Sequence, residues 1–193
     1  MSRPTSTPPS TSRAVQLLSF DGPQALQIRE VPVPQPGPGH VRVRVMAAGL
    51  NPMDWFMTSD PATAARFRLS LPCGFGTDYA GAVDAVGAGV SGFEVGDRVF
   101  GGALSRAVAD HVVVEAGGTI AAAGDVHHTP NGVDDRTAAT LTIGGCTAAD
   151  AVRRLAQLPR RAKPSVSRPP TPSSTVSHTR MSSLTSPLAT AER

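Results

Sequence analysis

Apolar and polar residues alternate most cleanly over residues 41–45, which read VRVRV. A strict period of two places the three valines on one side of a β-strand and the two arginines on the other. The segment therefore predicts a half-buried strand, whose valines face a core and whose arginines face solvent.

Other short apolar runs also have the length and composition of strands, and glycine-rich turns separate them. Asp21-Gly22-Pro23 predicts a turn between the first two runs. The proline-rich stretch 31–39 predicts a connection that cannot pair within the centre of a sheet. The predicted strands cover residues 14–18, 26–30, 80–86, 98–100 and 107–114.

Two segments predict helices. Asn51 and Pro52 have the residue types that favour the N-cap and the first position of a short helix over residues 51–57. Residues 134–158 are the one long helical candidate, with an interruption around Gly144-Gly145 and Asp134 or Asp135 as its cap. The pattern predicts an α+β class, mostly β.

The composition narrows the classes of protein. The chain has 193 residues, 40% hydrophobic and 4% aromatic, which predicts one domain with a core of small aliphatic side chains. Cys73 and Cys146 are too few for a disulfide framework or a four-cysteine zinc lobe. Since no apolar stretch reaches about 18 residues and the chain begins without an apolar signal region, we expect no membrane span and a cytoplasmic location.

Both ends of the chain differ in composition from its middle. Residues 1–12 and 159–193 are rich in proline, serine and threonine and lack apolar periodicity, so we expect both to be disordered. The second segment carries six basic residues and one acidic residue, while the whole chain carries a net charge of +3. We expect a solvated basic tail, and nucleic acid is not an expected partner.

The stretch 71–102 (LPCGFGTDYAGAVDAVGAGVSGFEVGDRVFGG) resembles the signature of the medium-chain dehydrogenase/reductase superfamily, in which G-T-D precedes A-G-x-V and V-G-D-x-V. Residues 14–55 and 137–155 resemble its zinc-independent, quinone oxidoreductase-like (zeta-crystallin-like) branch. This resemblance implies a GroES-like, partly open β-barrel over residues 13–133. A linker helix follows over residues 134–158.

The same resemblance implies a function. Intact members of this branch transfer a hydride from NADPH to a quinone or an enone without a metal, and they can form homodimers. It assigns Asn51 and Thr147 to the cofactor and Trp55 and Thr77 to the substrate, with Asp54 beside them in the cleft. Two of these residues also have structural interpretations, because Asn51 suits a helix cap and a lone tryptophan suits a core. No residue is assigned as a catalytic acid or base.

Zinc-dependent members of the superfamily have cysteine and histidine at the positions of Asn51 and Thr77. Asparagine and threonine are poor zinc ligands, and Asp78 alone cannot hold the ion, so we expect no zinc. Asp78 is expected to accept hydrogen bonds from backbone N–H groups. The adjacent His127-His128 pair is not expected to bind metal.

The family's A-x-G-x-V-G phosphate loop, expected near residue 160, does not occur in the sequence. A literal G-x-G-x-x-G at residues 87–92 precedes a predicted strand rather than a helix, so it predicts a turn and not a dinucleotide site. The Rossmann domain is therefore expected to be absent.

The composition of the tail suggests a hypothesis for its origin. One reverse translation of residues 161–165, which include the single lysine, Lys163, is compatible with a shifted frame that encodes G-E-T-V. We expect a truncated or frameshifted, inactive fragment that does not bind NADPH tightly. The alternatives are a non-catalytic binding module that uses the basic tail and, less favoured, a co-chaperonin-like ring subunit.

Overall fold

The computed structural model describes residues 10–122 and 124–157. The predictions for residues 1–9 and for the tail 159–193 lie outside these ranges. The described strands are β1 (Thr11–Leu17), β2 (Leu26–Pro32), β3 (His40–Gly49), β4 (Cys73–Gly74), β5 (Asp78–Val86), β6 (Arg98–Gly102), β7 (His111–Glu115) and β8 (His127–His128). The α-helices are α1 (Pro52–Met57), α2 (Pro61–Arg66), α3 (Asp135–Ala138) and α4 (Cys146–Gln157).

The strands form two antiparallel sheets, and neither closes into a barrel. One sheet has the order β2-β1-β4 and the other has the order β7-β3-β5-β6-β8. Register shifts between β3 and β5 bend the larger sheet. The predicted α+β, mostly β and partly open architecture is confirmed.

The core lies against the larger sheet, and β3 contributes to it as its alternation predicts. Val41 and Val43 are completely buried and Arg44 is exposed, but Arg42 does not face solvent as predicted: its side chain is 11% exposed and forms an ion pair of 2.7 Å with Asp84. Each buried valine contributes about 1.5 kcal/mol of hydrophobic free energy. Tyr79 packs in the same cluster, and its hydroxyl donates to the backbone carbonyl of Asp125 at 2.7 Å.

Two predicted boundaries in the β-structure need correction. β1 begins at Thr11, inside the segment expected to be disordered, because Ser12 is buried and lies 3.1 Å from Nδ1 of His111. The strand predicted over residues 107–114 is only β7, from His111 onward. The backbone N–H of Ala107 donates to the carbonyl of Gly76. The carbonyl of Val108 accepts from a backbone N–H of β1, and that of Asp110 accepts from one of β3. Residues 107–110 therefore form a loop.

The helices agree with the sequence pattern, with one addition. The predicted Asn51 cap and the first position of α1 at Pro52 are confirmed. Asp134 caps α3 by accepting from the N–H of Thr137, and a π-helical turn over Leu141–Gly145 leads into α4, so the predicted interruption is also found. α2 was not predicted; Asp60 caps it, and the hydrogen bonds from Thr63 lower the pKa of that carboxyl group to about 2.

The literal G-x-G-x-x-G forms turns after β5, as predicted. Gly89 and Gly92 have φ angles of 78° and 83°, in the left-handed region that favours glycine. The next regular element is β6 rather than a helix. These glycines therefore serve the chain reversal between two strands.

Candidate functional site

Asn51 connects the start of α1 to the larger sheet through two separate hydrogen bonds. Its backbone N–H donates to Oδ2 of Asp54 at 2.7 Å, which satisfies a donor at the end of the helix. Its side-chain amide donates through Nδ2 to Oδ2 of Asp78 at 3.1 Å. The half-buried Asn51 amide is thus held in one orientation.

Thr77, the residue before Asp78, is buried in the same network and not exposed at the surface. Its side chain has no exposed area, and its hydroxyl donates to Oδ1 of Asp54 at 2.7 Å. Asp54 is also buried, so its carboxylate joins Thr77 to the backbone of Asn51. In this structure Thr77 supports the position of Asn51.

Asp78 is the second buried carboxylate of the site. It accepts from the Asn51 amide and, at 3.3 Å to each oxygen, from the backbone N–H of Ile143 in the π-helical turn. The expectation that Asp78 satisfies a backbone donor is confirmed. Burial raises the pKa of Asp78 to about 6, and the negative charges of Asp54 and Asp125 act in the same direction, while these hydrogen bonds oppose the shift.

A cavity of about 390 Å³ adjoins this network, since Ile143 lines the cavity and its backbone N–H donates to Asp78. Thr147, the other predicted cofactor residue, lies in its wall, as do Thr142 and Cys146. Thr142 is 4% exposed, and its hydroxyl has no hydrogen-bond partner among the described residues. The remaining lining residues are Phe100, Ile120, Asp125, His127 and Leu141.

His127 brings an imidazole to this cavity. Its Nε2 lies 3.1 Å from Oδ2 of Asp125, and its ring lies 5.6 Å from that of Phe100. His128, the next residue, instead stacks on Phe93 at 4.7 Å between ring centroids. The two adjacent histidines therefore have different surroundings, and no group of three or more His, Cys, Asp or Glu residues suited to a metal ion occurs in residues 10–122 and 124–157.

Trp55 lies in a different groove. It is 42% exposed, and its ring centroid lies 4.7 Å from that of Phe75. Both rings line a groove of about 290 Å³, together with Val15, Leu26, Gln27, Ile28, Leu50 and Val108. The structure thus joins Asn51, Asp54 and Thr77 in one network that adjoins the cavity of Thr147, and it places Trp55 in a separate surface groove.

Sequence reasoning missed Thr142 and Ile143 as parts of this site. Their side chains have ordinary apolar and small polar character, and no local motif marks them. The adjacent glycine pair was the only signal, because it indicated an irregular helix where the π-helical turn brings the Ile143 N–H to Asp78.

Among the helices that the structure describes, none has the length and apolar character needed to cross a membrane.

Comparison with known proteins gives consistent matches. Residues 37–154 match the alcohol dehydrogenase GroES-like domain family. A quinone oxidoreductase from Pseudomonas aeruginosa is 34% identical over 149 residues, which cover 76% of this chain and 42% of the relative. A trans-enoyl reductase from Hypocrea jecorina is 31% identical over 153 residues, which cover 69% of this chain and 39% of the relative.

Solved structures give the same result. A quinone oxidoreductase from Pseudomonas syringae superposes with a TM-score of 0.63 at 30% identity, over 76% of this chain and 42% of that one. The chain therefore spans about two fifths of the length of these relatives.

Proposed function

The chain belongs to the alcohol dehydrogenase GroES-like domain family, in the quinone oxidoreductase-like branch of the medium-chain dehydrogenases/reductases, and we propose that its described residues form one wall of a hydride-transfer site. The proposed reaction is the reduction of a quinone or an enone by a nicotinamide cofactor. The observation that carries the proposal is the Asn51 amide, which is fixed by Asp78; the same carboxylate accepts from the backbone of Ile143, a residue that lines the cavity with Thr147.

The nicotinamide end of such a cofactor fits these residues. The cavity has a buried hydroxyl without a partner, that of Thr142, and a second hydroxyl at Thr147. A carboxamide offers both donors and acceptors, so the Asn51 amide and the Thr147 hydroxyl are the groups that would hold it. When bound, the dihydronicotinamide supplies the hydride.

The carboxylates around Asn51 position the amide and do not react. Asp54 accepts from the Asn51 backbone and from Thr77, which fixes the start of α1 relative to β5. Asp78 fixes the side-chain amide and the Ile143 backbone at the same time. The site is thereby preorganised, which reduces the ordering cost of binding.

We propose that no zinc takes part. Asn51 and Thr77 offer an amide and a hydroxyl at the two positions where zinc-dependent members have cysteine and histidine, and both groups are weak zinc ligands. The Thr77 hydroxyl is also engaged with Asp54. Purified protein should therefore contain no stoichiometric zinc, which elemental analysis measures; one zinc per chain that resists mild chelation would contradict the proposal.

The pyrophosphate end of the cofactor does not fit the described residues. The only G-x-G-x-x-G in the sequence forms turns between β5 and β6, without the helix N-terminus that binds phosphates in dinucleotide sites. We therefore propose that the 193-residue chain alone neither binds NADPH at submillimolar concentration nor reduces quinones. The frameshift hypothesis for residues 159–193 is tested by the nucleotide sequence, where an A-x-G-x-V-G loop in a shifted frame would support it.

The test uses reduced nicotinamide mononucleotide, which lacks the adenylate half, with the full chain. We expect weak binding, with NMR shift changes at Asn51 and Thr147. Asn51→Ala should weaken it several-fold, whereas Asn131→Ala, a change of the exposed turn asparagine, should not. Equal binding by both variants would contradict the assignment of Asn51. Calorimetry that shows micromolar NADPH binding would contradict the proposed loss of cofactor affinity.

A further inference from the structure

β2 forms one edge of the smaller sheet, and its outer side has no partner strand among residues 10–122 and 124–157. In an antiparallel pair, alternate residues exchange backbone hydrogen bonds with the neighbouring strand, and the residues between them direct their backbone groups to the other side. The N–H of Val33, just after β2, donates to the carbonyl of Ser10 at 3.3 Å, so the odd-numbered residues of β2 bond to β1. The residues whose N–H and C=O groups face outward are therefore Leu26, Ile28 and Glu30.

Ile28 lies in the middle of this outer edge and is 73% exposed, the highest value among the large apolar side chains that the structure describes. It borders two surface grooves, of about 280 and 290 Å³. Natural edge strands are usually protected by charged side chains, by proline or by a covering segment, because a free apolar edge pairs with other chains. In β2 the proline, Pro32, stands at the end of the strand, and it leaves the backbone groups of Ile28 open to a further strand.

A second copy of β2 is an occupant that fits this edge. Two copies of a strand pair antiparallel across a two-fold axis, so one register places Ile28 opposite Ile28 of the second copy. In that register Leu26 lies opposite Glu30, and every outward-facing residue has an outward-facing partner. Each of these pairs exchanges two backbone hydrogen bonds. The two Ile28 side chains lie on the same face of the joined sheet and cover each other, which removes apolar surface from water.

Charge distinguishes this register from its neighbours. A register centred on Arg29 or on Glu30 would place two like charges directly opposite each other, which is destabilising. A register centred on Gln27 would leave Glu30 beyond the end of the second strand. In the register centred on Ile28, Glu30 faces a leucine. Arg29 faces the side-chain amide of Gln27, whose carbonyl oxygen accepts from a guanidinium. The strand is thus complementary to a second copy of itself in charge and in hydrogen bonding.

We propose that the chain forms a two-fold dimer in which β2 pairs with β2 of a second copy, centred on Ile28, and joins the two smaller sheets into one. The paired edge is short, so we expect reversible association at concentrations on the order of 100 µM rather than a permanent dimer. The inference is independent of the proposed reaction, since Asn51 and Thr147 lie outside β2.

The first test compares Ile28→Lys with Val95→Lys in the full chain by sedimentation velocity, from about 10 to about 500 µM. Val95 is also exposed, at 66%, but it lies in the connection between β5 and β6. Ile28→Lys should raise the dissociation constant about ten-fold or more, because it removes the central apolar contact and places two lysines opposite each other. Val95→Lys should associate as the wild type does. A wild-type chain that stays monomeric over this range would overturn the proposal, as would equal association of the two variants.

The second test determines the register by cross-linking, with Cys73 and Cys146 replaced by serine. In the proposed dimer the two copies of residue 28 have Cα atoms about 5.5 Å apart, within the range of a disulfide. The two copies of residue 30 are four positions apart along the strands, about 13 Å. Under mild oxidation Ile28→Cys should therefore give a covalent dimer and Glu30→Cys should not, and equal yields would contradict the register. Amide exchange protection of Leu26, Ile28 and Glu30 in a monomer would assign the edge to another segment of the same chain and overturn the dimer.

Discussion

The hydroxyl of Thr77 donates a hydrogen bond of 2.7 Å to the carboxylate of Asp54, and both side chains are buried. The other oxygen of that carboxylate accepts from the backbone of Asn51, at the start of α1. One buried carboxylate therefore joins the residue that precedes β5 to the N-terminus of a helix. Asn51 is therefore held through its backbone by Asp54 and through its side chain by Asp78. The position of its amide depends on these buried carboxylates.

Replacement of Thr77 by valine should lower the free energy of unfolding by about 1–3 kcal/mol, because the buried Asp54 carboxylate loses a donor. Urea unfolding followed by circular dichroism measures the change. Thr129→Val is the matched control and should be neutral or stabilising, since the Thr129 hydroxyl has no partner. If the two variants are equally stable, the Thr77 hydrogen bond does not contribute to stability.

Asp78 should make stability depend on pH. Its pKa is raised to about 6 in the folded protein, chiefly by burial, whereas an aspartate in an unfolded chain titrates near 4. Between these values the folded state binds more protons than the unfolded state. The contribution of Asp78 to the free energy of unfolding should therefore decrease as pH rises from about 4 to about 6, and it should be constant above that range.

The measurement is the difference in unfolding free energy between wild type and Asp78→Asn over that pH range. Asparagine has no proton to titrate, so the wild type should lose stability relative to the variant as pH rises. The lowered pKa values of Asp60, Asp110 and Asp134 affect both proteins equally and cancel. A difference that is independent of pH would show that Asp78 titrates normally.

Two glycines should respond to alanine in opposite ways. A Cβ at Gly49, at the end of β3, would overlap the backbone carbonyl of Ala139, so Gly49→Ala should destabilise the protein by about 1–3 kcal/mol. Gly144, in the π-helical turn, has no neighbour within 4 Å of its Cβ position, and Gly144→Ala should be neutral or stabilise by about 0.4–1 kcal/mol. Thermal unfolding of both variants checks this order, and the reverse order would exclude the described packing of β3 against Ala139.

The two cysteines should differ in reactivity. Cys146 is exposed and lines the cavity, whereas Cys73 is partly buried and burial raises the pKa of its thiol. Because the thiolate is the nucleophile, iodoacetamide at pH 8 should modify Cys146 before Cys73. Peptide mass spectrometry over a time course gives the two rates. Faster modification of Cys73 would contradict the environment described for β4.

The sequence alone was sufficient for most regular elements. The alternation of residues 41–45 predicts a strand with buried valines, and the structure confirms it in β3 for Val41 and Val43, while Val45 is partly buried. Asn51 and Pro52 predict the start of α1, and the glycine pair predicts an irregular helix before α4. These features depend on side chains and backbone preferences within a few residues, so a single sequence contains the information.

The tertiary structure alone decided the positions of residues 107–110 and the composition of the site. Residues 107–110 resemble a strand, but their backbone groups bond to three different segments and form a loop. Asn51 and Asp78 are 27 residues apart, and Asp78 and Ile143 are 65 apart, yet they share hydrogen bonds. The Thr142 hydroxyl becomes unusual only because folding buries it without a partner. Local patterns fix which residues form strands and helices, whereas hydrogen bonds between distant residues are set only when the sheets and helices pack together.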